Sequence, residues 1–259
     1  MQVRKTLAIA LTLAGAFMGS SNAATRYVNV SNAASAAPYT NWSMAATAIQ
    51  PAIDAAVSGD EILVAPGMYY LPGSEVYIPP EKTLTLRGIH SREAIINALY
   101  QSPGLRVAGT NSLVEGFTIR SGQLATLGYG GGIHIGRTAT VRDCLVTGNW
   151  AAGGAGIFVA SEATNSLVED CTIEGNTATN GAGGGIALYE NSRGRVNRCI
   201  IRDNGADYGG GVWITKGGSV SNCRIIGNRA ALTHGGGVYM HASGTTNPAT
   251  LVNSVIFSN

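Results

Sequence analysis

Charge is scarce in this sequence. Asp, Glu, Lys and Arg make up 12% of its 259 residues, against about 25% in an ordinary soluble domain. Basic excess is missing too. Setting aside the first 23 residues removes Arg4 and Lys5, leaving 17 − 2 = 15 basic and 15 acidic residues, a net charge of 0. A neutral chain without a basic stripe lacks the footprint of a nucleic-acid binder. It equally lacks the polybasic stretch that holds an anionic membrane. Long apolar runs are absent after the start, and the one at the start, Thr6 to Gly19, is shorter than the ~20 residues of a spanning helix. Behind Arg4 and Lys5, and followed by Ser21, Asn22 and Ala23, that run reads as a secretory signal with cleavage after Ala23. The expectation is an exported chain, secreted or held at the cell surface, with no membrane insertion. The four cysteines have no CxxC spacing and no histidine recurs beside them, which argues against a metal site. None of the four histidines lies in a motif that would support a Ser-His-Asp triad.

Glycine, by contrast, is abundant: 36 residues, about twice the usual share. It is placed in register rather than scattered. Four nine-residue segments align without gaps: Val141 to Asn149, Val168 to Asn176, Val196 to Asn204 and Val220 to Asn228. Each has the form Val-x-x-Cys-x-Val/Ile-x-x-Asn, with cysteines at 144, 171, 199 and 223. Leu251 to Asn259 repeats the unit with Ser254 at the cysteine position, and Val114 to Gly122 is an earlier copy with Phe117 there. The six equivalent positions are 27, 27, 28, 24 and 31 residues apart. A glycine-rich stretch then leads into an alternating triplet: Ile133-His134-Ile135, Ile157-Phe158-Val159, Ile186-Ala187-Leu188, Val212-Trp213-Ile214 and Val238-Tyr239-Met240. Alternation over so few residues marks short half-buried strands. Each repeat therefore holds at least two strands, with a third expected to lead into the Val position. No repeat can bury its apolar face alone, so the repeats must stack. A leucine-rich repeat shares the Val-x-x-Cys-x-Ile-x-x-Asn spacing but needs a helical segment after the asparagine, where this chain has glycines and another strand. A propeller blade needs ~40 residues.

Stacking implies an internal ladder of Cys144, Cys171, Cys199 and Cys223, read as reduced, packed thiols because Phe117 and Ser254 replace them at its ends. The recurring asparagines at 149, 176, 204, 228 and 259 are read as structural, either holding a left-handed corner or bonding amide to amide between rungs. Before the repeats, Tyr27 to Val30 reads as a strand. Thr47 to Gln50 fits a capping box opening a helix with Ile49, Ile53 and Val57 on one face. Such a helix would cover the open end of the stack.

Gly59 to Tyr69, with Glu61-Ile62-Leu63-Val64-Ala65-Pro66-Gly67 at its centre, resembles the opening rung of pectate-lyase-like right-handed β-helix proteins. The later Cys-x-Ile-x-x-Asn and Gly-Gly-Gly-Ile units are similar to repeats of bacterial surface β-helix proteins, including the chlamydial polymorphic outer membrane proteins. The resemblance implies an all-β fold, a right-handed single-stranded parallel β-helix with a short N-terminal capping helix. The expected layout is a signal peptide over 1–23, strand and capping helix over 24–58, and β-helix repeats over 59–259, cut short at the C-terminus.

The outward residues of the triplets are His134, Phe158, Ala187, Trp213 and Tyr239. Four rings in one exposed column would form a platform for the C–H faces of sugars. His134, Phe158, Trp213 and Tyr239 are thus the expected substrate-binding residues, with Tyr129, Tyr208 and His234 rimming them. The expected partner is a polysaccharide or surface glycan, and the chain is expected to act as a monomer. No cofactor is expected for a binding protein. The resemblance also implies an alternative, a polysaccharide lyase or glycoside hydrolase, and for a lyase calcium held between stacked acidic residues beside a basic one. Asp143, Asp170 and Arg198, with Glu169 and Lys216, are the nearest match, although Asn222 and Asn253 interrupt the acidic column. Glu174, Asp203 and Asp207 are the carboxylates a glycosidase would draw on. A non-catalytic adhesin or surface rod is the third reading.

Overall fold

The computed structural model describes residues 23–124, 128–241 and 248–259. The signal-peptide expectation falls almost wholly on residues 1–22, outside the described residues.

The chain winds into a parallel β-solenoid with three long sheets along its length. The first sheet has nine strands, from Thr25–Val28 and Glu61–Val64 through Ala139–Arg142 and Leu167–Glu169 to Thr250–Val252. The second has eight, from Gly67–Tyr70 through Leu145–Thr147 and Thr172–Glu174 to Val255–Phe257. The third has seven, from Val76–Ile78 through Ile133–Ile135, Ile157–Val159, Ile186–Leu188 and Val212–Thr215 to Val238–His241. A fourth, short sheet joins Trp150–Ala151, Thr177–Ala178, Gly205–Tyr208 and Arg229–His234. Neighbouring strands pair in parallel and in repeat register, as with Val141↔Val168, Val146↔Ile173 and Ile157↔Ile186.

The nine-residue unit is a bent pair of strands. Its first Val lies in the first sheet and its Val/Ile in the second, with the cysteine at the bend. The bend is made by the residue before the cysteine: Asp143, Asp170, Arg198, Asn222 and Asn253 have φ between 45° and 55°. With the triplet strand and the short strand after the asparagine, a full repeat carries four strands, more than the spacing predicts.

The inward positions form columns. Val114, Val141, Val168, Val196 and Val220 line the first sheet, and Ile119, Val146, Ile173, Ile201 and Ile225 the second, all between 0% and 1% exposed. Each such side chain stabilises the fold by about 1.5–3 kcal/mol. Phe117 and the four cysteines fill the bend, buried and unbridged. Burial pushes the Cys171 thiol well above the ordinary range, and hydrogen bonding with Cys199, followed by burial, raises that of Cys223.

The asparagines take the second of the two roles open to them. Asn149 donates through Nδ2 to Asn176 Oδ1, Asn176 to Asn204, Asn204 to Asn228 and Asn228 to Asn259, each at 2.9 Å. The left-handed residue of that corner is the one before: Gly148, Gly175, Asp203 and Gly227, at φ 55° to 63°. The asparagine stays out of the left-handed region so that its amide can point into the stack.

At the N-terminal end, the helix Ile49–Ala55 buries Ile49, Ala52 and Ile53 against the strands Thr25–Val28 and Val76–Ile78. The expected capping box does not form. Ala48 is the N-cap and makes no side-chain bond. Gln50 is drawn away instead, accepting from the Tyr77 backbone N–H at 2.8 Å and donating to its carbonyl at 3.1 Å. Val57 lies past the helix end and is exposed. Lys82 Nζ closes the far end by donating to the carbonyls of Ile53 and Asp54, where a cation complements the helix dipole.

Candidate functional site

The third sheet carries the triplets, and their central residues point away from the core. Its register aligns Tyr77, Arg106, His134, Phe158, Ala187, Trp213 and Tyr239 in one column. The flanking positions, such as Ile157 and Val159, are wholly buried, so the column is held rigidly from behind. The structure therefore brings together the four residues expected from the sequence.

Their environments differ. Phe158 is only 4% exposed, because Tyr129 stacks on it at 4.8 Å and Tyr189 lies at 5.6 Å. His134 meets its other edge at 5.2 Å. This half of the column is a closed aromatic ridge with Tyr129 outermost, not the row of open rings expected. Burial, aided by the positive charge of Arg106, lowers the His134 pKa to about 4, so the ring is neutral at neutral pH.

The other half is open. Trp213 and Tyr239 are half-buried neighbours. With Ala182, Tyr208, His234 and His241 they line a shallow depression of about 410 Å³. Its rings contact one another: Tyr208 with His234 at 5.5 Å, His234 with Tyr239 at 5.3 Å, and Tyr239 stacked near His241 at 6.4 Å. Tyr189 joins Trp213 at 5.9 Å and links the depression to the ridge. Tyr208 and His234 line this depression, as their places before the glycine runs imply, whereas Tyr129 caps the closed ridge at Phe158. Tyr189 and His241 are additions. Both directly follow a triplet strand's last inward position or its next residue, a position where no motif recurs.

The acidic alternative has a different geometry. Arg198 forks onto Asp170, with Nε and Nη2 at 2.8 Å and 2.7 Å, and reaches Glu169 at 2.8 Å. These bonds hold the Asp170 carboxyl below the usual range. Asp143 faces Arg92 at 3.3 Å, and Lys216 faces Glu190 at 3.1 Å. Asn222 and Asn253 continue the ladder by amide bonds. Calcium would have to displace guanidinium from both carboxylates, and the described residues contain no group of three His, Cys, Asp or Glu placed to hold a metal. These residues do not fit a calcium site. Glu174 is bonded to Arg202, while Asp207 lines a separate groove over the fourth sheet. Among the described residues, the four cavities over this surface do not hold Glu174, Asp203 and Asp207 together.

Comparison with known proteins bears on the scaffold. No curated protein matches the sequence. Among solved structures, the pectate lyase Pel9A superposes with a TM-score of 0.59 at 14% identity, over 83% of this chain and 58% of that one. The chain thus spans little more than half the length of that enzyme. A pectin methylesterase from Aspergillus niger gives a TM-score of 0.49 at 13% identity, over 93% of this chain and 88% of its own. At 14% identity the likeness to the pectate lyase is one of fold. The family model described as "Right handed beta helix region" matches residues 84–259, well over half of the chain and the column from Arg106 to Tyr239. The chain belongs to the right-handed β-helix family.

Proposed function

We propose that this chain is an exported β-helix that binds polysaccharide or surface glycan on the outward face of its third sheet. The observation that carries the reading is the open depression around Trp213, Tyr239, Tyr208, His234 and His241. Half-buried rings on a rigid strand offer flat apolar faces to sugar C–H groups, while the tyrosine hydroxyls and histidine nitrogens at their edges serve sugar hydroxyls. Little charge is needed for such recognition, which agrees with a chain that has so little. The short charged segment and apolar run ahead of Ala23 support delivery to the outside.

A glycan array followed by calorimetric titration tests this. The double variant Trp213→Ala, Tyr239→Ala should weaken the binding of any captured glycan roughly tenfold or more, with the melting temperature close to that of the parent. No captured glycan, or binding indifferent to the double change, would sink the reading.

A further inference from the structure

Four rungs from Trp213 on the same column, about 19 Å at the spacing of paired strands, lies a second cavity of different character. It measures about 490 Å³ and is lined by Glu75, Tyr77, Gln101, Ser102 and Arg106 among others. Glu75 Oε1 pairs with Arg106 Nε at 2.9 Å. Its other oxygen, Oε2, is buried and has no hydrogen-bond partner among the described residues, and neither has the buried Ser102 Oγ. A buried polar atom left unsatisfied is costly, so native structures rarely keep one without a use. Here both belong to residues that line one cavity, beside a guanidinium.

The geometry points to a second saccharide subsite that takes a neutral sugar unit through adjacent hydroxyls, one donating to Glu75 Oε2 and its neighbour accepting from Arg106, with Ser102 and Gln101 completing the ring of contacts. An anionic sugar is disfavoured, because Glu75 already neutralises Arg106 and would repel a second carboxylate. Burial raises the Glu75 pKa against the pull of Arg106. The inference rests on the glycan-binding reading and names its substrate class: a neutral or mostly neutral chain.

The test is titration of the 259-residue chain's exported form with hexasaccharides of neutral β-1,4-glucan, mannan and galactan, and with hexagalacturonate. A neutral hexamer should bind best. Glu75→Gln and Ser102→Ala should each weaken it roughly tenfold, the size of a lost hydrogen bond to a charged or buried group. Preference for hexagalacturonate, or neutral binding untouched by both variants, overturns the subsite. If neutral binding falls only in the Trp213→Ala, Tyr239→Ala variant, the aromatic reading stands without the second subsite. If no hexamer binds, both fall.

A separate observation concerns the start of the described chain. Asp60 is wholly buried. Its carboxylate accepts from the Ala24 backbone N at 2.8 Å, from the Val57 N–H at 3.1 Å, and from Arg26 Nε and Nη2 at 3.1 Å and 3.0 Å. Ala24 directly follows the expected cleavage point. We infer that signal removal converts the Ala24 ligand of Asp60 from a peptide N–H into a charged α-amine. An export peptidase adds water across the Ala23–Ala24 peptide bond, leaving a carboxylate on Ala23 and a protonated α-amine on Ala24. The neutral N–H at Asp60 then becomes a charged donor, which strengthens the bond, and export is coupled to locking of the N-terminal cap.

Terminal sequencing of the exported protein should start at Ala24. The free-amine chain should melt about 3 °C or more above the same chain acetylated at Ala24, and Asp60→Asn should abolish the gap. Another starting residue, or equal melting of the free and acetylated forms, overturns the coupling.

Discussion

Asn176 lies at the middle of its ladder, with no exposed surface. Its Oδ1 accepts from both N and Nδ2 of Asn149, while its Nδ2 donates to Asn204 Oδ1 and to the carbonyls of Val146 and Glu174. Alanine there orphans donors and acceptors on both sides at once. Asn176→Ala should cost about 3 kcal/mol, read from urea unfolding. Asn259→Ala, at an exposed position, should cost less than a third of that. His134 gives a pH effect of known sign. Its pKa falls from 6.5 to about 4 on folding, so between those values the unfolded chain binds more protons and stability must rise with pH. Unfolding midpoints should drop as pH is lowered from 6.5 towards 4, and His134→Asn should flatten that slope. The column containing His134 was legible in the sequence because alternation assigns faces. Its burial was not, because Tyr129 and Tyr189 reach it from separate loops.

At the scale of elements, the glycines divide into two kinds that look alike in the sequence. Gly154, Gly183, Gly209 and Gly235 take φ values of 53° to 71° and turn the chain into the third sheet. Gly132, Gly156, Gly185 and Gly211 instead stack face to face between rungs. A Cβ on any of them would lie 2.5 to 2.6 Å from the next rung's glycine carbonyl oxygen. Gly185→Ala should therefore destabilise by roughly 1–3 kcal/mol through overpacking, measured by thermal or urea unfolding. Gly205→Ala, whose Cβ would meet open space, should cost much less. Periodicity could find the repeat but not divide the nine-residue unit between two sheets. That division depends on the left-handed residue at Asp143 and its equivalents, and Asp, Arg and Asn at that position share no pattern that announces it. The capping helix was legible from its apolar spacing. Its cap was misread because the sequence cannot show that Tyr77 claims Gln50.

The whole molecule is a one-dimensional stack, in which each rung is stabilised chiefly by its neighbours. Its last strands leave Val252, Val255, Ile256 and Phe257 exposed, whereas the first rungs lie beneath the helix Ile49–Ala55. A polypeptide of these 259 residues alone should open from the strands that hold Val252 and Val255 inwards. The four thiols sit on successive rungs and report it. Under native conditions Cys223 should react first with a thiol reagent, then Cys199, Cys171 and Cys144, resolved by peptide mass analysis. Simultaneous labelling of all four would mean that the stack opens as one unit. The solenoid itself was legible because a repeat that cannot close on itself has few ways to bury its valines. The task was less so, since it belongs to side chains that the repeat leaves unconstrained.

That freedom has a consequence for the third sheet. Its outward column offers one position per turn, set at a fixed pitch and, from Tyr77 to Trp213, clamped between two wholly buried neighbours. Tyr77, Arg106, His134, Phe158, Ala187, Trp213 and Tyr239 thus behave like type in a composing stick. One letter can be exchanged without disturbing the line, so a new ligand could be spelled on this face while the frame behind it stays the same.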